Sequence, residues 1–311
     1  MRALVTGGAG FIGSNLVDAL LDADEVVCAI DNLSTGRREN LNDAIAAGAE
    51  LVEADITNSD AVDSAIADFA PDVIFHLAGQ IDVRKSVANP AFDARVNVEG
   101  TINVLESARR NGVNRVVFSS TGGALYGDAD PIPTPETHAL RPEAPYGQAK
   151  VAAEGYFGLF ERLYGLSTVV LRYGNVYGPR QDPLGEAGVV AIFCGCLMKG
   201  IRPAVFGDGQ QTRDYVHVDD VVAANVAAAM SQNSGAYNIG TGKETSVLDL
   251  VEALAPHANA NFTPVFESAR PGELARSALE IKKAGAELGW QPMIELASGL
   301  AATLAAAQKS A

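Results

Sequence analysis

The glycine-rich segment Thr6-Gly7-Gly8-Ala9-Gly10-Phe11-Ile12-Gly13 constrains this chain more than any other stretch. It directly follows a short apolar run at residues 3–6 and opens a stretch with helical periodicity. Gly7 permits a tight strand-to-helix turn, Gly10 a close backbone approach to a pyrophosphate, and Gly13 close packing of the helix on a sheet. A diphosphate would bind at the positive end of the helix dipole. The segment therefore predicts a strand, a dinucleotide-binding loop and a helix.

An acidic residue stands at the distance that ribose recognition requires. Asp31 ends the second apolar run, 18 residues after Gly13. A carboxylate there accepts hydrogen bonds from both ribose hydroxyls and repels a 2′-phosphate. Arg37 and Arg38 could attract a 2′-phosphate, but Asp31 argues against one. The pattern favours NAD over NADP, the alternative being a cluster of turns followed by a helix-capping aspartate.

Short apolar runs alternate with helical stretches through the first half of the chain. Such alternation is typical of a doubly wound parallel sheet, the Rossmann type, with helices on both faces. The predicted strands are residues 3–6, 25–30, 50–53, 73–77, 113–119 and 167–173. The predicted helices are residues 12–21, 59–69, 92–110 and 146–164.

Beyond about residue 176, glycine and proline become frequent and the rhythm changes. Further helices are predicted at residues 189–199, 218–230, 247–255 and 281–288, and short strands at 204–206 and 236–239. We therefore expect an NAD-binding Rossmann domain at residues 1–176 and a smaller mixed α/β substrate domain at residues 177–311. Part of the second stretch is expected to pack back on the first domain.

Charge and cysteine content exclude several classes of function. The chain of 311 residues has 23 Lys and Arg against 38 Asp and Glu, a formal net charge of −15. A chain this acidic repels phosphate backbones, so no nucleic-acid partner is expected. Its three cysteines, Cys28, Cys194 and Cys196, are too few for a disulfide framework or a tetrahedral zinc site, and no metal is expected.

The chain shows no signal for export or membrane insertion. Its first residues carry no apolar leader or small-residue cleavage site, and no apolar run approaches the ~18–20 residues of a membrane span. We therefore expect a cytoplasmic protein without a membrane partner.

A tyrosine and a lysine at helical spacing form a candidate proton-transfer pair. Tyr146 and Lys150 are four residues apart, which places them on one face of the predicted helix. A neighbouring cation favours the phenolate, so Tyr146 could act as a base near neutral pH. The fifth predicted strand ends in Ser119, Ser120 and Thr121, which delivers hydroxyl groups to the carboxyl edge of the sheet, where such folds bind ligands.

Further segments recur in the order of a known family: Asp31-Asn32, Asp55-Ile56, His76-Leu77-Ala78-Gly79, Asn97-Val98-Glu99-Gly100-Thr101, Asn175-Val176-Tyr177-Gly178-Pro179-Arg180, Arg213-Asp214-Tyr215 and Arg270-Pro271-Gly272. With them, the sequence resembles the extended short-chain dehydrogenase/reductases of the NAD-dependent epimerase/dehydratase family, and among these the UDP-glucose 4-epimerases most. The resemblance covers the chain from Met1 to about Leu300.

The resemblance implies an NAD site and a nucleotide-sugar site. The NAD site would comprise Gly7, Gly10, Phe11, Ile12, Gly13, Asp31, Asn32, Asp55, Ile56, Leu77, Ala78, Asn97, Ser119, Tyr146, Lys150 and Tyr173. The nucleotide-sugar site would comprise Thr121, Tyr146, Asn175, Val205, Phe206, Arg213, Tyr215, Arg270, Glu273 and Ser277. Val205, Phe206 and Tyr215 could instead be core residues, and the two arginines ion-pair partners. Guanidinium groups nevertheless suit a diphosphate in an acidic chain.

Departures from the family pattern bear on the reaction. The segment after Phe118 is one residue longer than usual, which makes Thr121 the expected catalytic hydroxyl and Ser120 the lesser candidate. Sugar-nucleotide dehydratases carry an Asp-Glu pair where this chain has Gly122-Gly123, and two glycines cannot supply an acid and a base. This difference argues against dehydration.

Three more departures concern the ligands. Gln80 stands where a lysine is common, which puts a pyrophosphate contact in doubt. Ser277 replaces a bulky tyrosine and leaves room for an N-acetyl group. Asp182 stands where relatives acting on UDP-glucuronate tend to have an arginine, which weakens that alternative.

The resemblance implies reversible inversion at carbon 4 of a UDP-hexose, with catalysis by Tyr146, Lys150 and Thr121. UDP-glucose and UDP-galactose are the expected sugars, with UDP-GlcNAc and UDP-GalNAc as possible additions. A UDP-glucuronate 4-epimerase, a dehydratase or reductase, and a non-catalytic NAD-bound sensor remain as alternatives. Family members are commonly homodimers, so a homodimer is expected.

Overall fold

A parallel sheet of seven strands forms the centre of the computed structural model, which describes residues 1–183, 188–258, 262–269 and 274–309. Its strands are β1 (Arg2–Thr6), β2 (Val26–Asp31), β3 (Glu50–Glu53), β4 (Val73–His76), β5 (Arg115–Thr121), β6 (Ser167–Tyr173) and β11 (Gly235–Ile239). The spatial order is β11-β6-β5-β4-β1-β2-β3. The order reverses between β1 and β4, and the crevice at their carboxyl ends is where such sheets bind ligands.

Helices cover both faces of this sheet, so the predicted Rossmann-type α/β fold is confirmed. The helices of the described residues are α1 (Phe11–Asp22), α2 (Asn42–Ala46), α3 (Ser59–Phe69), α4 (Val83–Ala88), α5 (Pro90–Ala94), α6 (Gly100–Arg110), α7 (Gly122–Leu125), α8 (Pro145–Tyr164), α9 (Val189–Met198), α10 (Val218–Met230), α11 (Val247–Leu254), α12 (Lys282–Leu288) and α13 (Leu296–Lys309). Short 3-10 turns lie at Arg38–Leu41 and Ala255–His257, and a π-helical turn lies at Arg95–Glu99.

The alternation of side chains along each strand divides the core in two. Ala3 and Val5 of β1 pack with α1 and α10 on one face, while Leu4 packs with α3, α6 and α8 on the other. Both sets are buried because the strands lie in the middle of three layers, which explains their continuously apolar sequences.

The helix predicted at residues 92–110 is interrupted. The structure has α5, the π-helical turn Arg95–Glu99 and α6 in its place. A Cβ on Gly100, the first residue of α6, would lie 2.7 Å from Cδ1 of Ile56, so the helix passes very close to the loop after β3. A π-helical turn holds one extra residue per turn and is frequent at functional sites.

The chain beyond residue 177 forms a second apolar cluster, apart from the core that flanks the central sheet, and also adds a strand to that sheet. Three two-stranded sheets form there: β7 (Asn175–Tyr177) with β10 (Tyr215–His217), β9 (Thr212–Arg213) with β12 (Thr245–Ser246), and β8 (Ala204–Phe206) with β13 (Val265–Glu267). Helices α9, α11 and α13 enclose the second cluster. Strand β11 pairs with β6. The proposed division into domains near residue 177 stays a prediction.

Within the described residues, no helix has the length and apolarity needed to cross a membrane.

Candidate functional site

The glycine-rich loop forms a cradle with no room for side chains. Gly7 has a φ of +72°, and a Cβ there would lie 2.7 Å from the backbone nitrogen of Ala78. A Cβ on Gly13 would collide with the carbonyl oxygen of Gly7. Helix α1 begins after Gly10 without a side-chain cap, so its first amides face the loop. This end of the helix suits a phosphate.

Asp31 lies beside this cradle at the carboxyl end of β2. Its Oδ2 accepts from the Ala9 amide at 3.0 Å, and its Oδ1 accepts from the Leu33 amide at 2.8 Å. Burial raises the pKa of Asp31, while these two backbone hydrogen bonds favour the carboxylate. The carboxylate is therefore held in place, and each of its oxygens keeps a lone pair for a ribose hydroxyl.

Three residues of the expected NAD site, Asn32, Asp55 and Ile56, lie next to each other. Asn32 donates to Asp55 Oδ2 at 2.8 Å, and Thr57 donates to Asp55 Oδ1 through its amide and its hydroxyl. Although burial opposes it, these hydrogen bonds hold the pKa of Asp55 below its usual range. Ile56 is 5% exposed and packs against Gly100.

A buried histidine connects the cradle to the π-helical turn. Burial and, after it, the Lys150 charge lower the pKa of His76 to about 3, so His76 is neutral. The Thr101 hydroxyl donates to the Asn97 carbonyl and therefore accepts from His76 Nε2 at 3.0 Å. His76 Nδ1 then accepts from Thr6 at 2.8 Å, and Thr6 accepts from the Ala78 amide. This chain of hydrogen bonds fixes the backbone around Leu77, Ala78 and Asn97.

Thr121, rather than Ser120, has its hydroxyl in the crevice. Ser120 is 4% exposed and donates to Glu154 Oε1 at 2.6 Å. Thr121 is half-buried, accepts from the Ala124 amide at 3.3 Å and lies close enough to the Tyr146 phenol to lower the pKa of that phenol. The structure therefore favours Thr121 as the hydroxyl that works with Tyr146.

The side chain of Lys150 lies below the site, where residues of β5 hold it. Its Nζ donates to the Ser119 carbonyl at 2.9 Å and lies 4.6 Å from the centre of the Phe118 ring. Burial lowers the pKa of Lys150 to about 8, although the carboxylates of Asp93 and Glu154 favour the ammonium.

The expected lowering of the Tyr146 pKa by Lys150 is not found in the protein by itself. Burial, and after it the negative charge of Asp93, raise the pKa of Tyr146, while the hydrogen bond with Thr121 lowers it. The phenol is therefore protonated at neutral pH before ligands bind. A positive charge brought by a ligand at this site would favour the phenolate.

Tyr173 closes the site at the end of β6. It is 4% exposed, and its hydroxyl accepts from Asn225 Nδ2 at 2.8 Å. Burial raises the pKa of Tyr173 to about 12, so it stays neutral beside Ser119.

Asn175 and Arg213 of the predicted nucleotide-sugar site lie on short strands of two different sheets, β7 and β9, and the buried Asp214 connects them. The Asn175 amide donates to the Asp214 carbonyl at 2.7 Å. The Asp214 carboxylate accepts from the amides of Thr241, Gly242 and Leu279 and from the Thr241 hydroxyl. Asp214 thereby holds the segment that carries Arg213 against the segment that carries Ser277.

The other predicted sugar-site residues differ in how exposed they are. Val205 is 1% exposed and Tyr215 is 5% exposed, and both belong to the second apolar cluster. Their expected contact with the nucleotide stays a prediction. Phe206 and Ser277 are half-buried and accessible. Arg270 and Glu273 lie outside the described residues.

Two departures from the family pattern have a structural explanation. Gln80 does not extend towards the cradle, because its Nε2 donates to Asp93 Oδ1 at 2.8 Å and to the Asp82 carbonyl at 2.9 Å. Asp182 is ion-paired with Arg37 at 2.7 Å. Its charge is therefore partly balanced, which weakens the argument against a substrate carboxylate.

Sequence reasoning missed a buried ion pair behind the catalytic hydroxyl. Glu154 pairs with Arg172 at 2.6 Å, and each side chain is 8% exposed. Arg172 also donates to the Tyr126 hydroxyl at 2.8 Å. One signal in the sequence could have drawn attention to Glu154. It stands four residues after Lys150, and this spacing places both side chains on one face of α8.

The protein's cysteines are separate thiols, as expected. Cys28 and Cys194 are buried, Cys196 is partly buried, and all three are free. Burial raises the pKa of Cys194 to about 11. Among the described residues, no group of three or more His, Cys, Asp or Glu side chains could hold a metal ion.

The closed cradle, the uncapped start of α1 and the fixed carboxylate of Asp31 together fit a dinucleotide with free ribose hydroxyls, and therefore NAD.

Comparison with known proteins agrees with this site. Residues 3–240 match the NAD dependent epimerase/dehydratase family. A UDP-glucose 4-epimerase of Mycolicibacterium smegmatis is 49% identical over 306 residues, which cover 98% of this chain and 97% of the relative. The crystal structure of a UDP-glucose 4-epimerase with UDP-glucose from Thermotoga maritima matches with a TM-score of 0.96 and 45% identity, over 100% of this chain and 99% of the other.

A UDP-N-acetylglucosamine 4-epimerase from Methanobrevibacter ruminantium M1, in complex with UDP-N-acetylmuramic acid, matches with a TM-score of 0.95 and 32% identity, over 100% of this chain and 99% of the other. The predicted resemblance is thus confirmed: the chain belongs to the NAD dependent epimerase/dehydratase family.

Proposed function

We propose that this protein catalyses the reversible NAD-dependent inversion of carbon 4 in a UDP-hexose, interconverting UDP-glucose and UDP-galactose through a 4-keto sugar. The observation that carries the proposal is the placement of Tyr146, Thr121 and Lys150 together beside the glycine cradle. Identity of 49% to a UDP-glucose 4-epimerase along almost the whole chain supports it.

Bound NAD would supply a hydride acceptor and donor for carbon 4. The residues that would hold it are the cradle glycines, Asp31, and the ammonium of Lys150 near its ribose. Tyr146 takes the proton of the 4-hydroxyl as the hydride leaves, and gives it back after the keto sugar has turned its other face. Thr121 hydrogen-bonds oxygen 4 and the phenol, which keeps both atoms aligned for the transfer.

In the assembled complex, the positive charges of Lys150 and of bound NAD make Tyr146 a usable base. The phenol alone has a raised pKa, so the proton would leave it only when the complex assembles. This coupling keeps the base inactive in the free protein and activates it when the ligands are in place.

Dehydration is not supported by the residues beside Thr121. Gly122 is buried, and a Cβ there would lie 2.6 Å from both methyl groups of Leu279. An acidic side chain at this position would require the Leu279 side chain to move, so the packing here suits glycine. An epimerase needs no acid or base there, because only the proton on oxygen 4 moves.

The sugar preference is proposed to include N-acetylated hexoses. Leu279 packs at the catalytic edge, and Ser277 lies two residues before it with its amide donating to the Thr212 carbonyl at 3.2 Å. A small side chain beside the catalytic edge leaves volume for a substituent at carbon 2.

A substrate panel tests the function. Purified protein is incubated separately with UDP-galactose, UDP-GlcNAc and UDP-glucuronate without added NAD, and the products are resolved by proton NMR. We expect UDP-glucose from the first, and UDP-GalNAc from the second at a rate that falls in a Ser277→Tyr variant. Turnover of UDP-glucuronate alone would favour that rival epimerase. No turnover of any substrate, even with NAD supplied, would refute the proposal.

We further propose that the protein is a homodimer formed through α5, α6 and α8. Large apolar side chains on these helices are exposed, including Phe92 (47%), Leu163 (61%) and Tyr164 (52%). A shallow depression of about 520 Å³ lies along α5, the π-helical turn and α6 and is lined in part by Ala91, Val98 and Ile102. A second copy would cover these groups. Sedimentation velocity should give a dimer, and Phe92→Glu should give a monomer.

We place the enzyme in the cytoplasm as part of this proposal. Three free cysteines support a reducing compartment. Fractionation of the source cells, followed by immunodetection, would test it.

A further inference from the structure

Asp93 is a buried carboxylate that the proposed reaction does not use. It lies in α5, just before the π-helical turn, and is 1% exposed. Its Oδ1 accepts from Gln80 Nε2 at 2.8 Å and from Asn97 Nδ2 at 3.1 Å. Its Oδ2 has no hydrogen-bond partner among the described residues. Burial raises the pKa of Asp93, but the hydrogen bonds from Gln80 and Asn97 and the nearby charge of Lys150 favour the carboxylate. A protonated Oδ2 would also be a buried donor without an acceptor.

The charge of Asp93 acts on both proton-transfer residues. It favours the ammonium of Lys150 and disfavours the phenolate of Tyr146. Asn97 connects Asp93 to the surroundings of Lys150. Its Nδ2 donates to Asp93, and its Oδ1 lies near Lys150 Nζ, since a Cβ on Gly79 would lie 2.8 Å from Asn97 Oδ1 and 3.4 Å from Lys150 Nζ.

Among the described residues, no other charged side chain that faces Tyr146 and Lys150 has the same effect on their pKa values. Glu154 also faces Lys150, but Arg172 balances its charge, and His76 is neutral. On the remaining elements packed against α8, the charged side chains of α4, the π-helical turn and α6 lie at or near the surface. Asp93 is held by two neutral amides instead, so its charge keeps its full effect on Tyr146 and Lys150.

We propose that Asp93 is a positioning residue whose fixed negative charge sets the pH range of the Tyr146–Lys150 pair and whose hydrogen bond orients Asn97. The kinetic part of this inference rests on the proposed epimerase function. Removing the charge should make each proton leave more easily, so both limbs of the pH–rate profile should move to lower pH. A neighbouring charge of this kind shifts a pKa by about one unit or more.

Asp93→Asn is the sharpest variant, because its side-chain oxygen can still accept from Gln80 and Asn97. Asp63→Asn is the matched control: it removes the same charge from α3, where Asp63 Oδ1 accepts from the side chains of Ser107 at 2.7 Å and Asn111 at 3.2 Å. Two readouts are compared. One is the pH dependence of kcat/KM for UDP-galactose, and the other is the NMR titration of the Lys150 ammonium in isotope-labelled protein, assigned with Lys150→Met.

In the unsubstituted protein, Lys150 should titrate at about pH 8. In Asp93→Asn this midpoint and both kinetic limbs should fall by about one pH unit, while Asp63→Asn should change neither. An unchanged Lys150 midpoint, or an equal shift in the control, would overturn the proposal. The titration needs no turnover, so it remains decisive even if the epimerase function fails.

Gln80→Lys supplies a second test if Asp93→Asn does not fold. A cation at residue 80 would neutralise Asp93 from the side where Gln80 now donates. It should shift the Lys150 midpoint in the same direction, and a midpoint that stays in place would also refute the inference.

Discussion

Ser120 and Thr121 are adjacent hydroxyl residues whose replacement should have opposite consequences. Ser120 donates to the buried carboxylate of Glu154, and a hydrogen bond to a charged group contributes about 1.5–3 kcal/mol. At about 2.1 cal/mol/K per residue, the unfolding entropy of a chain this long converts that loss into a fall in Tm of roughly 2–5 °C. Ser120→Ala should therefore be less stable, with kcat close to that of the unsubstituted enzyme.

Thr121→Ala should instead lose rate. Its hydroxyl lies close to the Tyr146 phenol and, in the proposed mechanism, hydrogen-bonds oxygen 4 of the sugar. If that contact strengthens only in the transition state, its loss of about 1.5–3 kcal/mol lowers kcat roughly 10- to 150-fold. Thr121 also caps α7, so a modest loss of stability accompanies the change.

Both properties can be measured on the same preparations, by thermal unfolding and by steady-state conversion of UDP-galactose. Thr121→Ser is the control, since it keeps a hydroxyl and should retain most of the rate. A large fall in kcat for Ser120→Ala, with little change for Thr121→Ala, would refute the assignment of the two hydroxyls.

Three further perturbations test other parts of the account. The rate should fall above about pH 8, where Lys150 loses its proton, and Lys150→Arg should lack this alkaline decline because a guanidinium stays charged; pH profiles of kcat/KM check this. Gly13→Ala should abolish NAD retention, measured in protein purified without added cofactor, whereas Gly285→Ala, whose new Cβ meets only an ordinary contact, should not. Arg172→Met should lower the free energy of unfolding by about 3–5 kcal/mol in urea titrations because it leaves the Glu154 charge buried, and adding Glu154→Gln should restore part of that loss.

The strands of the central sheet were predictable because they are buried on both faces and contain little but apolar residues. The short strands β9 and β12, of two residues each, carry no such pattern and are held by contacts with neighbouring segments, such as the hydrogen bond from the Thr241 amide to Asp214. The π-helical turn was also unpredictable, since residues 92–110 have ordinary helical periodicity, and Ile56, which packs against Gly100 just after the turn, lies far away in the chain.

The candidate site, like the fold, has features that the local sequence predicts and features that depend on distant contacts. The glycine cradle, Asp31 and the Tyr146–Lys150 spacing are local patterns, and the sequence reveals them directly. The pKa of Tyr146 depends on burial and on Asp93, which lies 53 residues earlier in the chain, so spacing alone led to the wrong direction of shift. The burial of Val205 and Tyr215 likewise depends on the packing of α9, α11 and α13 around them.

The central claim is that carbon 4 is oxidised and then reduced by the same hydride within one active site. The most direct measurement uses UDP-glucose carrying deuterium at carbon 4, with the product UDP-galactose analysed by NMR and mass spectrometry. The account predicts that the deuterium remains at carbon 4 of the product without exchange into water, and that Tyr146→Phe nearly abolishes the conversion. Loss of deuterium to solvent, or its appearance at another carbon, would contradict the account.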